Sequence, residues 1–165
     1  GVEYIALGSI NDYATILNLS SPQNYVWFVS GGMIIGYLLG VFFIPKYVSQ
    51  RTALLISTVV AVIVTLAIMA FPGSISIYLV GVLGLANAMM WPAIWPMAIA
   101  DLGKFTKMGS SFLVTGLIGG AFLPLAFGYV ADVVSYQIAY SVCIPAYIFI
   151  MYFALWGSRI RTKTS

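Results

Sequence analysis

Along most of this chain apolar residues follow one another without the two-residue alternation of a strand or the polar stripe of a surface helix. A membrane-spanning helix needs about 20 predominantly apolar residues. Five stretches reach that length, at about 24–44, 53–71, 75–100, 109–131 and 133–157. Residues 1–17 read as the outer part of a sixth helix whose start lies upstream. The chain opens on Gly1 inside an apolar run, with no charged leader and no cleavage motif. The links are short: PKYVSQR, PGS, DLGKFTKM and a turn near Asp132. No charge interrupts the run from Thr52 to Ala100, and Pro72-Gly73-Ser74 divides it, because Pro and Gly together favour a turn. Short links make consecutive helices antiparallel neighbours. The expected fold is all-α: one polytopic transmembrane bundle over residues 1–165, with a tail at 158–165.

Composition sharpens this picture. Only 7% of the residues are charged and 62% are hydrophobic, whereas a soluble domain carries about 25% charged residues. The natural solvent of this chain is therefore the lipid bilayer. The net charge of +3 does not point to nucleic acid, because the basic residues are scattered among the links. Taking the sides alternately, Lys46, Arg51, Lys104, Lys107, Arg159, Arg161 and Lys163 all fall on one face. The other face carries Asp12 and Asp132. The positive-inside rule makes the basic face, with the C-terminus, cytoplasmic.

The chain has no His and a single cysteine, Cys143. Triads, zinc sites, redox pairs and an internal disulfide have no residues to build them, so neither an enzyme, a metal nor a cofactor is expected. Small residues at four-residue spacing mark faces where helix backbones approach closely in lipid: Gly32, Gly36 and Gly40 on one helix, and Gly116 and Gly120, with Gly119 beside them, on another.

Candidate chemistry concentrates in Asn87-Ala-Met-Met-Trp91-Pro92-Ala-Ile-Trp95-Pro96. Each of the two prolines removes a backbone donor and crowds the preceding turn. A helix break is expected at Pro92 and Pro96, and interrupted helices point to transporter sites. Asn87, Trp91 and Trp95 lie at i, i+4 and i+8, one stripe carrying an amide and two indoles. A sugar offers hydroxyls to an amide and an apolar C–H face to an indole. Two readings of Asn87 stand side by side, a cavity residue and interhelical glue. Trp95 also suits the aromatic belt of the membrane interface. Glu3 is a candidate for hydroxyl binding or proton coupling if it lies deep, and an ordinary interfacial carboxylate if it does not. Thr115 is a further candidate, although helix hydroxyls often bond back to their own backbone.

The stretch from Gly84 to Gly128 resembles the fucose–galactose–glucose/proton symporter family of the major facilitator superfamily. The resemblance rests on Pro92, Ile94 and Trp95, on Leu102-Gly103-Lys104-Phe105-Thr106-Lys107, on Gly109-Ser110-Ser111, on Gly119-Gly120 and Pro124, and on Gly1–Glu3 in a seventh-helix position. It implies that the chain is the C-terminal six-helix half of a twelve-helix protein, from part of helix seven to helix twelve. It also implies a central sugar cavity between two halves, alternating access, and proton-driven uptake of glucose, galactose or fucose across a bacterial inner membrane. The main coupling carboxylates would then lie in the absent N-terminal half. One departure is the link PKYVSQR, which lacks the acid that many superfamily members pair with arginine there. A transporter of another small solute, or a membrane subunit without transport activity, are the competing readings.

Overall fold

The structure, a computed structural model, describes residues 1–44, 46–71 and 73–159. Pro45 and Pro72 of two expected links, and Arg161 and Lys163 of the basic tail, lie outside the described residues. The helices are α1 (Val2–Ile16), α2 (Val26–Phe43), α3 (Gln50–Ala70), α4 (Ser74–Ile99), α5 (Thr106–Thr115), α6 (Gly119–Val133), α7 (Tyr136–Ala139) and α8 (Cys143–Leu155). No strand occurs among the described residues. Among the described residues, five segments are long and apolar enough to cross a membrane: Pro22–Phe43, Gln50–Ala70, Ser74–Ile99, Gly103–Val133 and Tyr136–Arg159. The fold is thus an all-α bundle of transmembrane type. Within the Gly103–Val133 segment, the 3₁₀ turn Gly116–Ile118 separates α5 from α6.

α4 occupies the centre, against α2 on one side, α3 on another and α1 across the bundle. Its buried residues cover most of its circumference, from Ser76 and Ile77 to Ala93 and Met97, while Ile75, Tyr78 and Val82 face outward. A helix that meets neighbours on most sides and lipid on the rest needs no polar face. α3 also packs on α8, and α1 on α6. The Gly103–Val133 segment is the most loosely held, with almost all of its residues open to the surroundings.

α4 corrects one expectation. It is not broken at Pro92 or Pro96; the helix runs on from Ser74 to Ile99 with both prolines inside it. Each proline deletes one donor, for the carbonyl four residues earlier, and leaves the remaining ladder in place. Ala88, Met90, Ala93 and Met97 are buried around these turns, so packing offsets the local cost and holds the chain helical.

The glycines divide into two groups. A Cβ added at Gly32 would lie 2.6 Å from the Gly81 carbonyl oxygen, and one at Gly36 2.5 Å from that of Leu85. Gly84 faces Val29 from the other helix, so small residues on both α2 and α4 bring the two backbones together. At Gly120 a Cβ would meet the Tyr4 ring at 3.1 Å. Gly40, Gly116 and Gly119 do not mark tight contacts: an added Cβ there would meet nothing within 4 Å. Gly116 and Gly119 border the 3₁₀ turn of the loosely held segment, and their own Cβ directions point into open space, although the Gly119 carbonyl oxygen lies close to Gly1. Gly40 lies near the end of α2, beyond the close approach.

Two polar clamps tie α3 to the last segment through carbonyls near a helix end. At one end, Arg51 donates through Nε to Ala154 O at 2.8 Å and through Nη2 to Leu155 O at 3.1 Å. At the other, Gln137 Nε2 donates to Ile68 O at 2.5 Å and Met69 O at 3.1 Å. The Arg51 contact puts the start of α3 and the end of α8 at the same end of the bundle. Its cation also meets the negative end of the α8 dipole. Replacing Arg51 with alanine should destabilise the bundle by about 1–2 kcal/mol, the worth of charged hydrogen bonds at a half-exposed site. Lysine should recover part of the loss, because it keeps the charge without the planar fork. Cys143 is a free, buried thiol, so the temperature at which it reacts with a thiol-specific fluorophore in detergent measures both effects.

Away from the Arg51 end, aromatic rings and hydroxyls join α1, α4, α6 and the last segment. Tyr13 stacks on Tyr136 with ring centroids 5.5 Å apart, and Phe127 meets Tyr140 edge-on at 5.0 Å. Ser9 and Tyr140 share a hydrogen bond of 2.8 Å, Tyr13 and Ser76 one of 2.6 Å. The phenols bury their rings and still satisfy their hydroxyls.

Candidate functional site

Depth comes first, because it decides what a carboxylate can do. Asn87 stands near the middle of the 26-residue α4. Its Nδ2 donates to the Val2 carbonyl at 3.1 Å, so the start of α1 lies level with the centre of α4. Glu3, next in sequence, is therefore at mid-depth in the bundle. An ionisable group there is costly in hydrocarbon and faces a partner or a cavity. Glu3 has both. The Tyr37 hydroxyl on α2 donates to Glu3 Oε1 at 2.7 Å, and the two side chains line a cavity of about 470 Å³.

The cavity lies between α1, α2, α4 and the 3₁₀ turn. α1 contributes Glu3, Tyr4 and Leu7; α2 contributes Met33 and Tyr37; α4 contributes Trp91; and the turn contributes Gly116 and Leu117. Its volume is in the range of small-molecule sites, and its make-up follows their pattern of mostly apolar walls with a few polar groups. Carboxylate and phenol form the polar wall, and the Trp91 indole supplies an aromatic surface. Tyr4 also borders a second cavity of about 270 Å³, which runs along α1 past Gly8 and Ser9 to Asp12 and Tyr136.

Of the residues singled out in the sequence, Glu3 and Trp91 are brought to this one cavity. Trp95 is half-buried and sits beside Trp91, with ring centroids 5.4 Å apart at 58°. Asn87 is not on the cavity wall. It is 2% exposed, with Nδ2 on Val2 O and Oδ1 accepting from the Tyr147 hydroxyl at 2.9 Å. Its amide thus joins α1, α4 and α8, the glue reading of the two. Thr115 is exposed, and its hydroxyl bonds back to Ser111 O at 2.9 Å. The stripe Asn87–Trp91–Trp95 splits because two of its members turn toward different neighbours.

Tyr37 is not among the residues the sequence singles out, although its position carries a signal. It is the one phenol in α2, one position on from Gly36. Since Gly32 and Gly36 face α4, residues one position further, Met33 and Tyr37, turn to an adjacent face, and that face meets α1.

The helices define a class: a multi-pass α-helical membrane protein. The chain belongs, on its relatives, to the fucose–galactose–glucose symporter family. It is 31% identical over 147 residues to a glucose/galactose transporter of Brucella abortus, covering 88% of this chain and 35% of that protein. It is 28% identical over 164 residues to a putative glucose/galactose transporter of Helicobacter pylori, covering 94% of this chain and 40% of that one. It is 35% identical over 78 residues to the L-fucose-proton symporter of Escherichia coli, covering 47% of this chain and 18% of the symporter. The chain thus spans little more than a third of the glucose/galactose transporters it matches. No family model matches it, and no solved structure does.

Proposed function

We propose that this chain is the C-terminal half of a secondary active transporter that takes up a hexose or deoxyhexose of the glucose, galactose or fucose class together with a proton. Alternating access would come from two halves rocking about a midplane site. The bacterial inner membrane would hold the protein with its basic end, including the C-terminus, in the cytoplasm. The observation that carries the reading is the mid-depth cavity walled by the Glu3 carboxylate, the Tyr37 phenol and the Trp91 indole. Sugars need that combination: hydrogen-bonding groups for hydroxyls and a flat apolar surface for the ring. The names of the relatives support the same substrate class.

The test is uptake of labelled glucose, galactose and fucose by vesicles carrying the full-length protein. Saturable uptake driven by an inward proton gradient, with accumulation lost on adding an uncoupler, is the expected result. Trp91→Ala should raise the half-saturation concentration about ten-fold, since losing the buried aromatic face costs about 1–2 kcal/mol. Uptake of none of the three sugars would overturn the reading. Accumulation unchanged by the uncoupler would remove the proton from it.

A further inference from the structure

Within the reading of this cavity as a sugar site, its polar wall has a definite polarity. A phenol carries one proton, and Tyr37 donates that proton to Glu3 Oε1 at 2.7 Å. What remains for a solute is acceptor capacity: the second carboxylate oxygen of Glu3, and the lone pairs of Tyr37 Oη. Neither takes part in another hydrogen bond among the described residues. The geometry points to recognition of the solute through two neighbouring hydroxyls acting as hydrogen donors, one to Glu3 Oε2 and one to Tyr37 Oη.

Three observations converge on this. Both residues line the same cavity. The two free acceptors belong to one hydrogen-bonded pair, so they lie within about two hydrogen-bond lengths of each other, a span that adjacent ring hydroxyls match. Of the other side chains on the wall, Leu7, Met33 and Leu117 are apolar, Trp91 can only donate, and Tyr4 carries a further hydroxyl, so Glu3 is the charged acceptor among them. Tyr37 is thereby a specificity-determining residue with two tasks. It holds one carboxylate oxygen in place, which fixes the direction of the other, and it presents its own oxygen as the second acceptor.

Replacing a hydroxyl by fluorine tests donation directly, because fluorine keeps the size and electronegativity of the group and cannot donate. In vesicles carrying the full-length protein, deoxy and deoxyfluoro analogues changed at one ring position at a time would compete against labelled galactose, or labelled glucose if that is taken up faster. At two adjacent positions the fluorinated analogue should compete at least about ten-fold more weakly than the parent, and no better than the deoxy analogue. Tyr37→Phe should remove the penalty at one of these positions. Glu3→Gln, which puts an amide donor where an acceptor stood, should bring fluorinated and parent sugars to within a few-fold at the other.

Fluorinated analogues that compete as well as the parent at every position would overturn the proposal while leaving sugar transport intact. So would penalties at both positions that survive Tyr37→Phe. An absence of hexose uptake would instead remove the transport reading, and the proposal with it. The analogue series on the unmodified protein decides the main point even where a variant fails to fold.

Discussion

Leucine at Gly36 is expected to separate α2 from α4 and to leave little folded protein. The Cβ alone would lie 2.5 Å from the Leu85 carbonyl oxygen and 3.0 Å from the Ala88 Cβ. The first obstacle is backbone in the middle of the central helix, so no side-chain rotation relieves it. Overpacking a well-fitted contact costs about 1–3 kcal/mol. Alanine at Gly36 should fall in that range, and leucine, with three further carbons to place, well beyond it. The pair matters because lipid supplies no hydrophobic drive between helices, and close backbone approach takes its place. Gly40→Ala is the matched control: it lies on the same helix with nothing within 4 Å of the added carbon, and should be nearly neutral. Recovery of monodisperse protein from detergent, followed by the temperature at which Cys143 becomes reactive, measures all three. Gly36→Ala as stable as Gly40→Ala would show that the α2–α4 contact is looser than described.

The second large effect is expected at Asn87. Leucine there removes an amide that bonds to both α1 and α8. The Val2 carbonyl keeps its place in the α1 ladder, but the Tyr147 hydroxyl, fully buried, loses its acceptor. An unsatisfied buried hydroxyl costs about 1–3 kcal/mol, toward the lower end for interhelical bonds in membranes. The diagnostic is the double variant. Tyr147→Phe removes the stranded hydroxyl, so Asn87→Leu combined with Tyr147→Phe should be more stable than Asn87→Leu alone. Half-saturation for sugar should change little in Asn87→Leu protein that still folds, in contrast to Trp91→Ala. A large change would return Asn87 to the cavity wall.

These two residues show how far the sequence was legible. Gly32 and Gly36 could be read because four-residue spacing of the smallest side chain has one physical use in lipid. The same rule also picked out Gly40 and Gly116, where an added Cβ would meet nothing within 4 Å, since spacing identifies a face without saying how closely a neighbour covers it. Asn87 could be read only to a choice between two roles, because an amide in an apolar helix serves either one. Its partners, Val2 and Tyr147, are 85 and 60 residues away. The prolines misled for a related reason. Pro92 and Pro96 do remove donors, but the burial of Ala88, Met90, Ala93 and Met97 around them decides whether the helix survives their loss.

What the sequence determined by itself was the solvent and the class of fold. Charge is too sparse to face water, and apolar runs of spanning length leave the helix as the way to satisfy the backbone in lipid. Those are properties of single residues and of neighbours along the chain. The tertiary structure alone decided which polar groups meet. It paired Tyr37 with Glu3 across 34 residues, turned Asn87 away from the cavity and Trp91 toward it, and set Arg51 on the carbonyls of α8. Such pairings depend on the rotation and depth of one helix against another. In a chain this uniformly apolar, a pattern along the sequence marks a face at most and does not say which residue meets it; the pairings follow from how the side chains fit.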